Sequence, residues 1–201
     1  MLVLSDDIYD QIWYRDEPAT TLAAAVPELK DRVLLANGVS KTYAMTGWRI
    51  GYAAGPAPLI AAINKLQSQM SSCPSSISQA AASRALTAEQ SFVGESVKLY
   101  RERRDYACAR LNKVPQLSCL VPDGAFYLYP SCSGAIGKVT PDGKMIDSDL
   151  DFVLYLLDSG VASVHGAAYG LSPYFRLSIA TSMEMIKEAC DRIEKACSDL
   201  R

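Results

Sequence analysis

Apolar residues fall into two patterns along this chain. The first quarter holds short, nearly unbroken runs: Leu2-Val3-Leu4-Ser5, then Arg32-Val33-Leu34-Leu35-Ala36-Asn37, then Trp48-Arg49-Ile50-Gly51-Tyr52-Ala53-Ala54. Runs of this kind predict strands buried on both faces. A polar, proline-containing stretch through Asp16-Glu17-Pro18 separates the first two, Gly38-Val39-Ser40-Lys41 ends the second, and Gly55-Pro56 closes the third. Helical periodicity then takes over. Helices are predicted from Pro58 to Met70, with Leu59, Ile60, Ile63 and Leu66 on one side, from Ser75 to Leu86, and from Ala88 to about Asn112. Within the last of these, Arg101-Glu102-Arg103-Arg104-Asp105 reads as a solvated face.

From Val114 the texture changes to turns and short strands, with Pro122-Asp123-Gly124, Ala125 to Pro130 and a turn-rich Thr140-Pro141-Asp142-Gly143-Lys144. Ser148 is placed to cap a helix through Asp158, with Asp151 in a capping-box position. Strands are expected at Val161–Val164 and Phe175–Ile179, and Ser182 caps a final helix with Glu184 early in it. Strand–helix units followed by a smaller α+β part, hinged on the long helix, suggest α/β organisation divided at 1–93 and 94–201.

Composition narrows the function classes. The chain has 201 residues, 49% apolar and 21% charged, with Lys+Arg 20 against Asp+Glu 22. A net charge of -2 with scattered signs argues against a nucleic-acid partner or an anionic membrane surface. No apolar run approaches the roughly 20 residues of a membrane helix. The N-terminus lacks a basic region and a cleavage site, so a cytoplasmic protein is expected. The 6 cysteines show no CxxC, and Cys190 and Cys197, at i and i+7 of a helical pattern, are expected on one buried stripe. With His165 the only histidine, no metal site is expected.

Candidate chemistry rests on Asp6 with Tyr9, Lys41 with Ser40, Arg49, and Arg176. Each has an ordinary structural reading: Asp6 as a turn or cap residue, Lys41 as a solvated loop lysine, Arg49 as a surface ion-pair partner, Arg176 as an edge-strand residue. Their placement favours chemistry, because Asp6 and Lys41 both follow the C-terminal ends of expected buried strands, where open α/β sheets hold ligands.

Gly38-Val39-Ser40-Lys41-Thr42-Tyr43-Ala44-Met45-Thr46-Gly47-Trp48-Arg49-Ile50-Gly51 resembles the lysine-attachment motif of class I pyridoxal-phosphate-dependent aminotransferases. Ser5-Asp6-Asp7-Ile8-Tyr9 is similar to the segment of that family that touches the cofactor ring. Pro122-Asp123-Gly124-Ala125-Phe126-Tyr127, Gly160 to Val164 and Tyr174-Phe175-Arg176-Leu177-Ser178-Ile179-Ala180 resemble its small-domain strands. The resemblance spans the chain in order and is greatest to the bacterial-type aspartate aminotransferases. It implies the C-terminal part of the large aminotransferase domain, a mostly parallel sheet with helices, followed by a small α+β domain.

The same resemblance implies roles. Lys41 would attach to the aldehyde of pyridoxal 5'-phosphate and then move the substrate proton. Asp6 would keep the ring nitrogen protonated, and Tyr9 would hydrogen-bond the ring oxygen. Arg49 would clamp the phosphate and Arg176 the substrate α-carboxylate, each through a planar fork. Gly38 stands where some relatives carry a serine near the phosphate, and by this resemblance Ser40 would be its substitute. His165 and Trp48 are read as structural, Trp48 as core packing. Family members run to about twice this length, so the resemblance implies a C-terminal half without the N-terminal half that completes the site, and a homodimer. The expected reaction joins an amino acid and a 2-oxo acid, of the aspartate/2-oxoglutarate type. Alternatives are alanine, aromatic or prephenate transamination, a related lyase on the same scaffold, or a non-catalytic fragment acting as an association module.

Overall fold

The strand β1 (Val3–Asp6) runs parallel to β2 (Val33–Gly38), with Asp6 opposite Ala36, and β3 (Gly51–Ala54) pairs antiparallel to β2, with Gly51 opposite Gly38. Parallel pairing demands a long crossover. Here the connection carries a short helix, α1 (Leu22–Ala25), capped by Thr21, and a 3-10 turn over Pro27–Arg32. The strand order β1-β2-β3 puts β2 at the centre. These facts come from a computed structural model that describes residues 1–201, in two compact units, Met1–Val97 and Lys98–Arg201.

Burial corrects the expectation of strands covered on both faces. Val33 is 3% exposed, but Leu4 is 67% exposed, and β3 is exposed throughout. β1 alternates half-buried and exposed positions, the signature of a strand with one packed face. The third strand is also shorter than expected. Thr46–Trp48 form a 3-10 turn and Arg49 is left-handed, so Trp48 is an exposed turn residue and not core packing. Helices α2 (Ala57–Met70) and α3 (Ser76–Thr87) complete the unit, α2 opening on Pro56 with Pro58 in its first turn. No residue of α2 is buried. Its small core joins Val39, Ile50 and Ala82, with Tyr43 and Met45 against them.

The second unit holds the larger core. Helix α4 (Ser91–Leu111) begins in the first unit and continues here, with α5 (Asp149–Asp158) and α6 (Met183–Ser198) around a sheet of β4 (Tyr127–Leu128), β5 (Val164–His165) and β6 (Phe175–Ser178). All pairings are antiparallel and β6 is central. Residues 161–163, expected as strand, lie outside the sheet, and pairing begins at Val164. Ser148 accepts from the Asp151 amide while its hydroxyl donates to the Asp151 carboxylate at 2.6 Å, and Ser182 accepts from Met185. Leu128, Phe152, Leu156, Phe175 and Ile193 are fully buried, and the Phe152 and Phe175 rings meet edge to face at 5.3 Å. Cys190 and Cys197 share this core. All the thiols are free and only Cys73 is exposed.

The basic run in α4 is less solvated than its charge suggests. Arg104 is 9% exposed and donates to the Pro122 carbonyl at 2.9 Å. Nearly two turns further on, Arg110 forks onto both carboxylate oxygens of Glu194 at 2.6 and 2.8 Å, tying α4 to α6. No helix is long and apolar enough to cross a membrane.

Candidate active site

Strand direction gathers the first group of residues. Asp6 ends β1; Lys41 follows the end of β2, which runs parallel to it; Arg49 precedes the start of β3, which runs antiparallel. All three therefore emerge at one edge of the sheet. Tyr9 sits in the turn after β1, where the Ile12 amide closes onto the Tyr9 carbonyl at 2.9 Å. The Lys41 Nζ lies 5.8 Å from the centroid of the Tyr9 ring. Lys41 and Ser40 are half-buried, while Asp6 and Arg49 are exposed.

The loop between Lys41 and Arg49 is conformationally costly. Ala44 and Arg49 have φ of 52° and 56°, in the left-handed region that side-chain-bearing residues avoid. Such strain persists where surrounding contacts over-determine it. In one such contact an Arg49 guanidinium nitrogen donates to the Thr46 carbonyl at 2.9 Å. Gly38 supplies another constraint. A Cβ there would lie 2.8 Å from the Ile50 carbonyl oxygen, so the two ends of the loop approach as backbone. Asp6 itself accepts a long bond, 3.4 Å, from the Ile8 amide, a weak turn contact that leaves most of its carboxylate's capacity for another donor.

Sequence reasoning missed the polar group beside these residues. Asn37 donates to the Asp10 carboxylate at 3.0 Å and its own carbonyl oxygen accepts from the Gly38 amide. Burial, with the Asp10 charge adding to it, raises the Tyr43 and Tyr52 phenols above their ordinary range. Both phenols thus stay protonated as donors at neutral pH. Tyr43, given no role from sequence, donates to Gln90 at 2.9 Å. A polar residue at a strand end was the only signal in the chain for Asn37.

Arg176 belongs to the second unit, on β6. Its guanidinium carbon lies 4.3 Å from the centroid of the Tyr127 ring and 4.4 Å from that of Tyr169. Tyr127 faces Ser178 across the β4–β6 pair, which makes it a diagonal neighbour of Arg176. Tyr169 in turn meets Tyr129 edge to face at 6.3 Å, and the Tyr129 hydroxyl donates to the Gly166 carbonyl at 3.0 Å. The tyrosines were visible in the sequence, but the side on which they meet an arginine was not.

The family comparison assigns the chain to a class of transferases. The family "Aminotransferase class I and II" matches residues 1–193, and the chain belongs to it. It is 53% identical over 199 residues to an aspartate aminotransferase of Rhizobium meliloti and 48% identical over 199 residues to an aspartate/prephenate aminotransferase of Cereibacter sphaeroides, covering 98% of this chain in each case. The chain spans about half the length of these curated relatives, 48% and 50% respectively. Its fold superimposes on the crystal structure of the Rhizobium meliloti aspartate aminotransferase with a TM-score of 0.96 at 52% identity, over 100% of this chain and 50% of that one.

Proposed function

We propose that this chain supplies the lysine-bearing part of a pyridoxal-phosphate-dependent aminotransferase that exchanges an amino group between aspartate, or a similar amino acid, and a 2-oxo acid such as 2-oxoglutarate. The observation that carries the reading is the convergence of Asp6, Tyr9, Lys41 and Arg49 on one sheet edge. In this reading residues 1–93 are the remainder of a cofactor-binding domain and 94–201 a small domain. A further N-terminal half and a second subunit complete the site.

The donor set fits the cofactor group by group. Lys41 offers an amine to an aldehyde, Asp6 a carboxylate to a ring nitrogen, Tyr9 a phenol to a ring oxygen, and Arg49 with Ser40 a guanidinium and a hydroxyl to a phosphate. Bound, pyridoxal 5'-phosphate supplies an electron sink for the negative charge that develops at the substrate Cα. The chain's own work is to hold and move protons around that sink. Lys41, half-buried at a strand end, takes the proton from the substrate Cα and returns it on the acceptor side. Asp6 keeps a proton on the ring nitrogen by its charge. Arg49 fixes the phosphate from a backbone already held in the left-handed region. Arg176 takes the α-carboxylate as a bidentate partner, its plane set by Tyr127 and Tyr169.

A second reading, transamination of prephenate, is favoured by the name of the Cereibacter relative at 48% identity. A substrate panel on the full-length protein separates the two. The proposal itself is tested by treating that protein with pyridoxal 5'-phosphate, reducing with borohydride and mapping the label. Label on Lys41 is expected; label elsewhere, or none, overturns the assignment. The same treatment of the 201-residue chain alone reports how much of the site it assembles.

A further inference from the structure

We propose that Cys108 and Cys119 form an oxidative modification site, a buried dithiol that hydrogen peroxide closes to an intramolecular disulfide. The two sulfurs are 3.6 Å apart, and the residues are 1% and 5% exposed. Their proximity is built by the backbone. Asn112, one turn beyond Cys108 and just past the end of α4, donates its side-chain amide to the Cys119 carbonyl at 2.9 Å and accepts from the Cys119 amide at 2.8 Å. One turn before Cys108, Arg104 donates to the Pro122 carbonyl at 2.9 Å. The segment from Cys119 to Pro122 is thus laced to α4 on either side of Cys108, and this register sets the thiols against each other. A disulfide needs its sulfurs at about 2.05 Å, a closure of roughly 1.5 Å that side-chain rotation and slight backbone movement supply.

The pair also differs from the other buried thiols. Burial pushes Cys132 and Cys197 up to about 12 and Cys190 up to about 11, which keeps them inert. The hydrogen bond from Cys119 holds Cys108 below the ordinary thiol value against the opposing push of burial, with the Arg104 charge assisting. Cys119 moves the other way, raised by that same hydrogen bond and by burial. The opposite directions make Cys108 the more readily ionised thiol of the two.

The chemistry balances without a further reactant. The Cys108 thiolate attacks one peroxide oxygen, the O–O bond breaks, and the departing hydroxide takes a proton to become water, leaving a sulfenic acid on Cys108. Cys119 then attacks that sulfur, the S–S bond forms, the S–O bond breaks, and hydroxide leaves with the Cys119 proton as a second water. Two thiols are oxidised by two electrons and the peroxide is reduced. The product ties α4 to the segment leading into β4.

Trypsin separates the partners, cutting after Arg104, Arg110, Lys113 and Lys138, so that Cys108 lies in peptide 105–110 and Cys119 in peptide 114–138. The 201-residue chain carrying Cys73→Ser, which removes the exposed thiol, is treated with hydrogen peroxide under native conditions and in urea. Remaining thiols are alkylated after denaturation, and the digest is analysed by mass spectrometry. Under native conditions peptide 105–110 is expected joined to 114–138, lighter by two hydrogens than the separate peptides together, linked at Cys119 by fragmentation and released by reductant. In urea the pairing should scatter onto Cys132, Cys190 and Cys197. Recovery of Cys108 fully alkylated, after an exposure that oxidises Cys73 completely in the parent chain, overturns the proposal. So does linkage of Cys108 to Cys132. A Cys119→Ser variant provides a second readout: Cys108 should then stop at the sulfenic acid and be trapped by dimedone, and absence of the adduct counts against Cys108 as the attacking thiol.

Discussion

The Lys41 ammonium nitrogen stands 5.8 Å from the centroid of the Tyr9 ring, so a residue after β1 supports the amine that follows β2. The ring attracts the cation, and its hydroxyl is a separate asset. Tyr9→Phe keeps the first and deletes the second. In the full-length protein, Tyr9→Phe is expected to lose about 10-fold or more in transamination rate, the scale of one hydrogen bond to a charged group, while borohydride labelling of Lys41 persists. Tyr9→Ala should lower both. Parental turnover in the phenylalanine variant would remove the hydroxyl from the mechanism.

Gly38 holds the loop's two ends together without a side chain. A Cβ would meet the Ile50 oxygen at 2.8 Å and the Gly51 Cα at 3.2 Å, both backbone and unable to swing away. Gly38→Ala should destabilise by about 1–3 kcal/mol, the range for overpacking. Gly47 lies in the same loop with nothing within 4 Å of its Cβ position, so Gly47→Ala is the matched control and should melt like the parent. Equal melting temperatures for both variants would show that the strand end relaxes freely.

Helices α2 to α6 and the caps of α5 and α6 were legible because their signals are local, whereas the short α1 was not. Ser148, Asp151 and Ser182 reach only three residues along the chain, and the apolar spacing of α2 and α6 is set by the helix itself. Burial was not legible. Leu4 and Trp48 are apolar yet exposed, whereas Arg104 is charged yet buried, because exposure depends on which strand is central and which carbonyl a guanidinium finds. The start of the third strand was missed for a related reason: the left-handed turn at Arg49 is enforced by neighbours and not by its own preference. For the candidate site, the order of Asp6, Tyr9, Lys41 and Arg49 could be read from the motif. Asn37 gripping Asp10, and the rings beside Arg176, are long-range contacts with no local pattern to announce them.

Those rings make a prediction about substrate capture. Tyr127 and Tyr169 lie 4.3 and 4.4 Å from the Arg176 guanidinium carbon and restrict its plane. Tyr169→Phe preserves a π face and should leave kinetics close to parental. Tyr169→Ala frees the fork and should raise KM for the amino acid roughly 2- to 30-fold, the span of one cation–π contact, with a smaller change in kcat. A parental KM in the alanine variant would mean that β6 alone orients the arginine.

Asp149, the first residue of α5, yields a pH dependence whose sign can be worked out. It is 2% exposed, and burial by itself would raise its carboxyl. The Ser172 hydroxyl and the Ala167 and Tyr174 amides outweigh that push and hold it below the usual carboxylate range, the Ala167 bond measuring 2.9 Å. A depressed folded value means that the unfolded chain takes up the proton first as acid is added. The stabilisation is therefore fully present above the unfolded value of about 3.9 and is lost as pH falls through the folded one. Asp149→Asn keeps the shape but turns one acceptor oxygen into an NH2 group among donors. At pH 7 it should cost about 1–3 kcal/mol, the penalty for a buried group left unpaired. Near pH 3 the unfolded chain has already taken up the proton, so part of the advantage of the charged form is gone and the gap between the two proteins in urea melts should narrow. A gap of the same size at both pH values would assign the effect of the substitution to packing and not to the ionised carboxylate.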